Sequence, residues 1–372
     1  MPPIRILVVD DSVVIRKVLS DALGKDPALE VAGTASDGRI ALAKIPKLKP
    51  DLVILDIEMP VMNGLETLAA VRREYPKLPV IMFSTLTGRG AAETLEALSL
   101  GASDYATKPT SVGSLTLSLE VVRSELIPKI KALCGVRQSV LPSHPPAAAR
   151  ARVPANRRID LVAIGTSTGG PNALAEVIPR LPADFPVPVV IVQHMPASFT
   201  RLLAERLASH SAISIAEGSV GTLLAPGHAW IAPGNFHMTV AAAVTAASGL
   251  NWRLGLNQDP PENSCRPAVD VLFRSVAAVG GPHVLGVVMT GMGSDGVIGA
   301  KHIREAGGEV IVQDEASSVV WGMPRAVYAA GLADAVYPLD RLAAEILRRV
   351  FQNRATRAAS ATHSASLESS IQ

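Results

Sequence analysis

Cysteine is scarce in this sequence. Cys134 and Cys265 are the only two, too few for a disulfide framework, and they point to a reducing compartment. Aromatic residues supply 3% of the chain, so cores must be filled by Ala, Val, Leu and Ile, a mix that suits helices layered on parallel strands. Neither sign of charge prevails. With 35 Lys and Arg against 33 Asp and Glu the net charge is +2, too weak for the basic footprint of a nucleic-acid-binding protein. No apolar run approaches the roughly 20 residues that cross a bilayer. The N-terminus enters a strand at once, without the segments of a secretory signal. These absences point to a soluble, cytoplasmic chain with no nucleic-acid partner and no membrane insertion. A hydrophobic content of 48% against 18% charged excludes a disordered chain, and 372 residues suggest two domains.

The stretch that organises the chain is Ile159–Pro171, IDLVAIGTSTGGP. It reads as a buried strand running into a glycine-rich turn that displays Ser167, with a helix from Asn172. Gly165-Thr166-Ser167-Thr168-Gly169 fits G-x-S-x-G, whose small residues let the backbone turn sharply and hold a hydroxyl above a sheet edge. Taken alone, the stretch also fits a tight strand-to-helix turn with a bystander serine, or a phosphate cradle at Gly169-Gly170.

Residues 1–134 alternate strand and helix. Strands are expected at Ile4–Val9, near Glu30–Thr34, at Leu52–Leu55 and Val80–Phe83, and briefly around Tyr105. Helices are expected at Val13–Leu23, Gly38–Ile45 and Gly64–Arg73. This is the pattern of a doubly wound parallel sheet, an α/β domain. Its chemistry belongs at the carboxyl ends of the strands. Asp10, Asp11 and Asp56 fall there as three carboxylates that need a cation, and hard oxygen ligands favour Mg²⁺. Lys108 adds a positive charge suited to a phosphoryl oxygen, and Ser84 a hydroxyl. An aspartate in that setting can be the nucleophile of phosphoryl transfer.

Residues 135–158 are rich in Pro, Ala, Ser and Arg and read as a flexible, basic linker. Residues 159–352 form a second, largely parallel α/β domain, and the Ser-, Ala- and Thr-rich tail 353–372 reads as disordered. Further buried strands are expected at Pro188–Gln193, Val284–Met289 and Glu309–Gln313. Helices are expected at Phe199–Ser209, from Pro267, and at MPRAV. Ser167, His194 and Asp295 each follow a buried strand. A serine needs a general base, and the base needs a carboxylate to set its tautomer. The three supply those roles, in an order unlike that of α/β-hydrolases. His228, His237, His283 and His302 are other bases on offer, and Asp295 beside Gly296 also fits a plain turn. Backbone N–H groups around Thr168 and in Gly291-Met292-Gly293 are candidate oxyanion donors. Neither a DNA-binding regulator nor an output domain that only binds a partner is ruled out by these residues alone.

Two resemblances cover nearly all of the chain. VVDDS, LDIEMP followed by NGLE, FST and GASDYATKP resemble a receiver domain of two-component signalling, of flavodoxin-like fold. That implies Asp56 as acceptor of a phosphoryl group from a histidine kinase, and Mg²⁺ held by Asp10, Asp11, Asp56 and the backbone carbonyl of Glu58. It further implies Ser84 and Tyr105 as a switch pair and Lys108 as the phosphate-binding lysine. GTSTGGP, QHMPASFT, ENSCRPAVDVLF, MTGMGSDG and DEASSVVWGMP resemble the catalytic domain of chemotaxis protein-glutamate methylesterases. The catalytic residues of that family fall on Ser167, His194 and Asp295. Thr168 matches a position that orients the histidine, and Met292 one near the oxyanion site. The implied enzyme is a monomer that needs no cofactor for ester hydrolysis. It demethylates glutamyl esters, and deamidates glutamines, on chemoreceptors, with the receiver covering the esterase site until Asp56 is phosphorylated.

Overall fold

The computed structural model describes residues 2–85, 87–108, 122–135, 158–243 and 251–352. The expected linker, apart from Gly135 and Arg158, lies outside the described residues, as does the tail 353–372. The chain divides into two compact units.

In the first unit, strands β1 (Ile4–Val9), β2 (Leu29–Ala35), β3 (Leu52–Asp56), β4 (Val80–Ser84) and β5 (Asp104–Thr107) form one sheet. Its order is β2-β1-β3-β4-β5, and every pairing is parallel. The runs β3 and β4 are buried along their whole length, as strands covered on both faces must be. Ile6, Val8, Ile54, Ile81 and Phe83 pack on Leu19 and Leu23 of the Val13–Leu23 helix. The helix starts carry their own signals. Ser12 accepts from the Ile15 N–H, and Asn63 with Glu66 makes a capping box ahead of Gly64–Glu74. The Gly38–Leu48 helix runs through Pro46 instead of stopping at Ile45. Pro46 lies in the last turn, where the ladder bond it removes is at the frayed end.

The second unit is built on β6 (Leu161–Thr166), β7 (Val189–Gln193), β8 (Ser214–Glu217), β9 (His228–Ile231), β12 (Val284–Val288), β13 (Glu309–Gln313) and β14 (Ala335–Tyr337). The order is β14-β13-β12-β6-β7-β9-β8, again parallel throughout. An antiparallel pair, β10 (His237–Ala243) and β11 (Asn251–Asn257), stands apart from it. Trp230, Met238, Leu272, Phe273, Val288 and Ile303 belong to one continuous core. Helix starts differ from expectation by two residues. The helix after Ser167 begins at Gly170 and the next at Ala197, because Pro171 and the extended Pro196 preset the first turn. The helix expected from Pro267 begins at Val269, since Ala268 is still extended.

Among the described residues, no helix is long and apolar enough to cross a membrane.

Gly165 marks where β6 meets the Val269–Gly280 helix: a Cβ there would lie 2.4 Å from Val269 Cγ1 and 2.7 Å from Cγ2. Those methyls belong to a buried, β-branched side chain that cannot swing aside. Gly165→Ala is therefore expected to destabilise the second unit by about 1–3 kcal/mol through overpacking. A lowered urea midpoint at unchanged slope is the signature, and an unchanged midpoint contradicts it.

Candidate functional site

In the first unit the parallel register of β1 and β3 pairs Val9 with Leu55. Asp10 and Asp56 therefore leave neighbouring strand ends side by side, where the strand order reverses. Carboxylate oxygens of Asp10, Asp11 and Asp56 all lie within 4.8 Å of one another. Asp10 and Asp56 are buried and Asp11 is exposed. Lys108 Nζ stands 2.9 Å from Asp10 Oδ2 and 2.8 Å from Asp56 Oδ1. The Glu58 N–H reaches Asp56 Oδ1 at 3.4 Å. One ammonium thus pairs with two of the three carboxylates. Burial pushes the Asp56 carboxyl up to about 6 although Lys108 pulls it down, and Asp10 adds to the rise. Asp56 Oδ2 is buried without a hydrogen-bond partner among the described residues. Hard oxygen donors, excess negative charge and an orphaned buried oxygen together fit Mg²⁺.

The other expected receiver residues sit around this cluster. Ser84 Oγ is 2.7 Å from Thr94 Oγ1, and the Thr94 hydroxyl donates to the Gly90 carbonyl at 2.6 Å. Thr94 has one proton and a carbonyl can only accept, so Ser84 is the donor to Thr94. Its proton points along the Gly88–Ser99 helix. The Tyr105 side chain is buried, and burial, then Asp104 and Glu125, hold its phenol well above its ordinary range. Lys129 Nζ lies 4.6 Å from the Tyr105 ring centroid and 3.1 Å from Asp104 Oδ2. Arg16, which sequence reasoning passed over, donates to the Asp10 and Asp11 carbonyls at 2.6 and 2.9 Å and so braces the acidic loop.

In the second unit the strand ends of β12, β6 and β7 are adjacent, with Val288 opposite Gly165 and Thr166 opposite Gln193. Ser167 follows β6 in a turn pinned from both sides. Its N–H donates to the Thr290 carbonyl at 3.0 Å, and its carbonyl accepts from Gln193 Nε2 at 3.0 Å and the Gly170 N–H at 2.8 Å. The Gln193 amide also donates to the His194 carbonyl at 3.1 Å, so one side chain ties the Ser167 and His194 backbones together. Gly170 cannot be larger, since a Cβ there would lie 2.0 Å from Gln193 Oε1. Gly291 is likewise confined: its Cβ would meet Ser167 Cβ at 2.9 Å. Met292 beside it is partly buried and Thr168 is buried.

His194 and Asp295 meet directly, with Nε2 2.7 Å from Oδ2. Asp295 is buried, and its carboxylate is gripped. Oδ2 also accepts from the Val269 N–H at 2.7 Å, and Oδ1 from the N–H groups of Asp270 and Gly296 at 2.9 and 3.0 Å. The Asn263 amide adds 3.0 Å contacts to Asp295 Oδ1 and Asp270 Oδ2. Burial raises the Asp295 carboxyl, but His194 and these N–H groups outweigh it and hold it low. Asp270 goes the other way, raised by burial and by Asp295. The second ring nitrogen of His194, Nδ1, has Cys265 Sγ at 3.5 Å. Of the expected three, then, the structure joins His194 to Asp295 and sets Ser167 on the neighbouring strand end, with no Ser167 hydroxyl bond to His194 among the described contacts. Of the other histidines, His228 bonds its own turn at Pro226, His283 the Arg158 carbonyl and His302 its helix at Ile298. The buried His237 bonds Pro260 and Ala268. Cys265, Asn263 and Asp270 were not foreseen. Their one signal was their place in ENSCRPAVD, next to residues already singled out.

Fold and geometry define a two-domain chain: a receiver followed by an α/β unit with a Ser, His and Asp at adjacent strand ends. Residues 6–120 match the response regulator receiver domain family, and residues 162–346 the CheB methylesterase family. A protein-glutamate methylesterase/protein-glutamine glutaminase of Trichodesmium erythraeum is 52% identical over 357 residues, 94% of this chain and all of that one. One of the same description from a Nocardioides species is 53% identical over 363 residues, 95% of this chain and 97% of that one. The crystal structure of the Thermotoga maritima CheB methylesterase catalytic domain is 39% identical, with a TM-score of 0.48, and covers 51% of this chain and 98% of that one. The chain belongs to the protein-glutamate methylesterase/protein-glutamine glutaminase family.

Burial alone would push the His194 imidazole down. Hydrogen bonds to Asp295 and then Cys265, with their charges, reverse this and raise it to about 10. Cys265→Ala removes the thiol's share, so the ring is expected to lose its proton at a lower pH than in the wild type. Titration of the His194 ring nitrogens by NMR measures this. Identical midpoints would show that the thiol contact carries no weight.

Proposed function

We propose that this chain is a cytoplasmic response-regulator enzyme that hydrolyses glutamyl methyl esters on chemoreceptors, and deamidates receptor glutamines, when Asp56 is phosphorylated. The observation that carries the reading is the His194–Asp295 pair at 2.7 Å beside the Ser167 turn. Asp295, kept ionised by its N–H donors, fixes the proton of His194 on Nε2. Nδ1 is then the nitrogen left to take the proton of Ser167. The serine oxygen attacks the ester carbonyl, and the oxyanion forms against backbone N–H groups around Thr168 and Met292. His194 returns its proton to the leaving methoxide, and methanol departs. Water, deprotonated by the same nitrogen, opens the acyl-enzyme and restores a receptor carboxylate and the serine. For a glutamine the leaving group is ammonia.

In the receiver, Asp56 accepts the phosphoryl group from a histidine kinase through Oδ2, the oxygen with no partner. Asp10, Asp11 and Asp56, with the Glu58 carbonyl, would hold Mg²⁺, which supplies the charge neutralisation that brings an anionic phosphodonor to a carboxylate. Lys108 stays on the phosphoryl oxygens. Ser84, donating to Thr94 at 2.7 Å before the reaction, turns its proton to the phosphoryl group afterwards. The Gly88–Ser99 helix loses that tie, and with Tyr105 it carries the change outward. The substrate is a membrane receptor, but this chain inserts in no membrane, binds no nucleic acid and acts as a monomer.

Methanol release from methylated receptor membranes tests both halves. Ser167→Ala should fall by at least about three orders of magnitude. Asp56→Asn should keep a basal rate that a small phosphodonor no longer raises. Release by Ser167→Ala near the wild-type rate would falsify the assigned nucleophile, and a phosphodonor response in Asp56→Asn the assigned acceptor.

A further inference from the structure

The turn Glu262-Asn263-Ser264-Cys265 reaches the site from outside the three strand ends. It is a two-residue hairpin turn, closed by the Glu262 N–H to the Cys265 carbonyl at 3.1 Å and the Cys265 N–H to the Glu262 carbonyl at 2.8 Å. Its two central residues have φ of 51° and 62°, the left-handed region that Asn tolerates better than most side chains. Arg274 pairs with Glu262 at 2.8 and 2.5 Å and anchors the turn to the Val269–Gly280 helix. The turn is thus held by its backbone and by Glu262, not by the side chain of Asn263. That side chain belongs to an exposed residue, yet its amide reaches inward between two buried carboxylates.

We propose that Asn263 is a positioning residue for the His194–Asp295 pair, its amide bridging Asp295 to the second buried carboxylate, Asp270. An amide nitrogen carries two protons, and each goes to one carboxylate at 3.0 Å. Asp295 Oδ1 is thereby held on the side away from the imidazole, together with the Asp270 and Gly296 N–H groups. Oδ2 is left to Val269 and His194. Asp270 in turn is held by the Gly299 N–H on its Oδ1 at 2.7 Å. Without the amide, Oδ2 of Asp270 and Oδ1 of Asp295 face each other with no donor between them. Asp295 then rotates or shares a proton with Asp270, and His194 loses its aim. This inference rests on the proposed role of Asp295 as the acid of the triad.

Two variants of the full chain separate the amide from the turn. Asn263→Gly accepts the positive φ and deletes the donor, and Asn263→Asp keeps the shape while turning the donor into an acceptor. Both are compared with wild type and Ser167→Ala by methanol release from methylated receptor membranes. The low-field proton NMR signal of the His194–Asp295 hydrogen bond is recorded alongside, below each variant's Tm. Asn263→Gly is expected to lower kcat roughly 10–100-fold, the scale of a misaimed catalytic group, with KM unchanged and the signal shifted. Asn263→Asp should lose more. Unchanged kcat and an unmoved signal in both variants overturn the inference, as does a change confined to KM. If Ser167→Ala is inactive and the Asn263 variants are normal, the inference alone fails. If Ser167→Ala is active while the signal shifts in Asn263→Gly, the bridge stands and the reading of the triad fails.

Discussion

Two helix N-termini and two aspartates hold the second unit's site in place. Asp295, just ahead of the Val297–Glu305 helix, accepts the first two N–H groups of the Val269–Gly280 helix. Asp270, in the first turn of that second helix, accepts the Gly299 N–H of the first. Each carboxylate thus satisfies donors that the other helix leaves orphaned, where Ala268 and Gly296 provide no side-chain cap. A buried carboxylate on its own would cost several kcal/mol. Hydrogen bonds to a charged group return about 1.5–3 kcal/mol each. Asp295 takes four from the chain besides the one from His194, enough to keep it ionised in the interior. Its orientation is then a property of how two helices pack, and the imidazole inherits it.

The receiver solves the opposite problem. Its buried Asp56 carries one oxygen without a partner and a pKa lifted to about 6. No helix terminus and no second cation relieves it among the described residues. Among the described residues Lys108 is the one side-chain cation paired with the Asp10 and Asp56 carboxylates, from 2.9 and 2.8 Å. In the proposed roles, Asp56 as nucleophile and Asp295 as the group orienting a base, the first is left less fully hydrogen-bonded, since each donor draws electron density from an attacking lone pair. The two aspartates therefore mark two uses of burial. In one, a buried oxygen is left without a partner, as the proposed phosphoryl acceptor requires. In the other, charge is met by the fold so that only one direction, toward His194, is left to act.

This division was partly legible in the sequence. Strand-end residues such as Asp10, Asp56, Lys108, Ser167 and His194 could be read because buried parallel strands are short, apolar and end abruptly, so the next polar residue lies at the sheet's carboxyl edge. Asp295 was less readable, since Thr290 and Ser294 come between it and the end of the strand; it was the carboxylate a Ser and His pair calls for. The supports were not. Asn263 and Cys265 reach the site from a hairpin turn and Asp270 through the packing of two helices, long-range contacts that no local period encodes. Ser84 was legible as a hydroxyl near Asp56, but its present partner, Thr94, depends on how the Gly88–Ser99 helix lies along β4. Helix starts slipped by two residues where proline set the first turn.

The contact between Cys265 and Nδ1 of His194 gives the resting site its chemical character. The nitrogen that the proposed mechanism uses to deprotonate Ser167 has a thiol 3.5 Å away instead, and no bond from the serine hydroxyl reaches it among the described contacts. Apo sites of this kind tighten when substrate arrives, and here tightening has a definite meaning: Nδ1 must exchange a sulfur partner for an oxygen one. The thiol is a weak hydrogen-bonding group, so the exchange costs little and the base is parked without being trapped. Asp295 cannot move during it, because its remaining donors belong to two packed helices and one turn. On the proposed mechanism, a firmly held acid behind a loosely held base lets the site wait for its ester without committing its nucleophile to water.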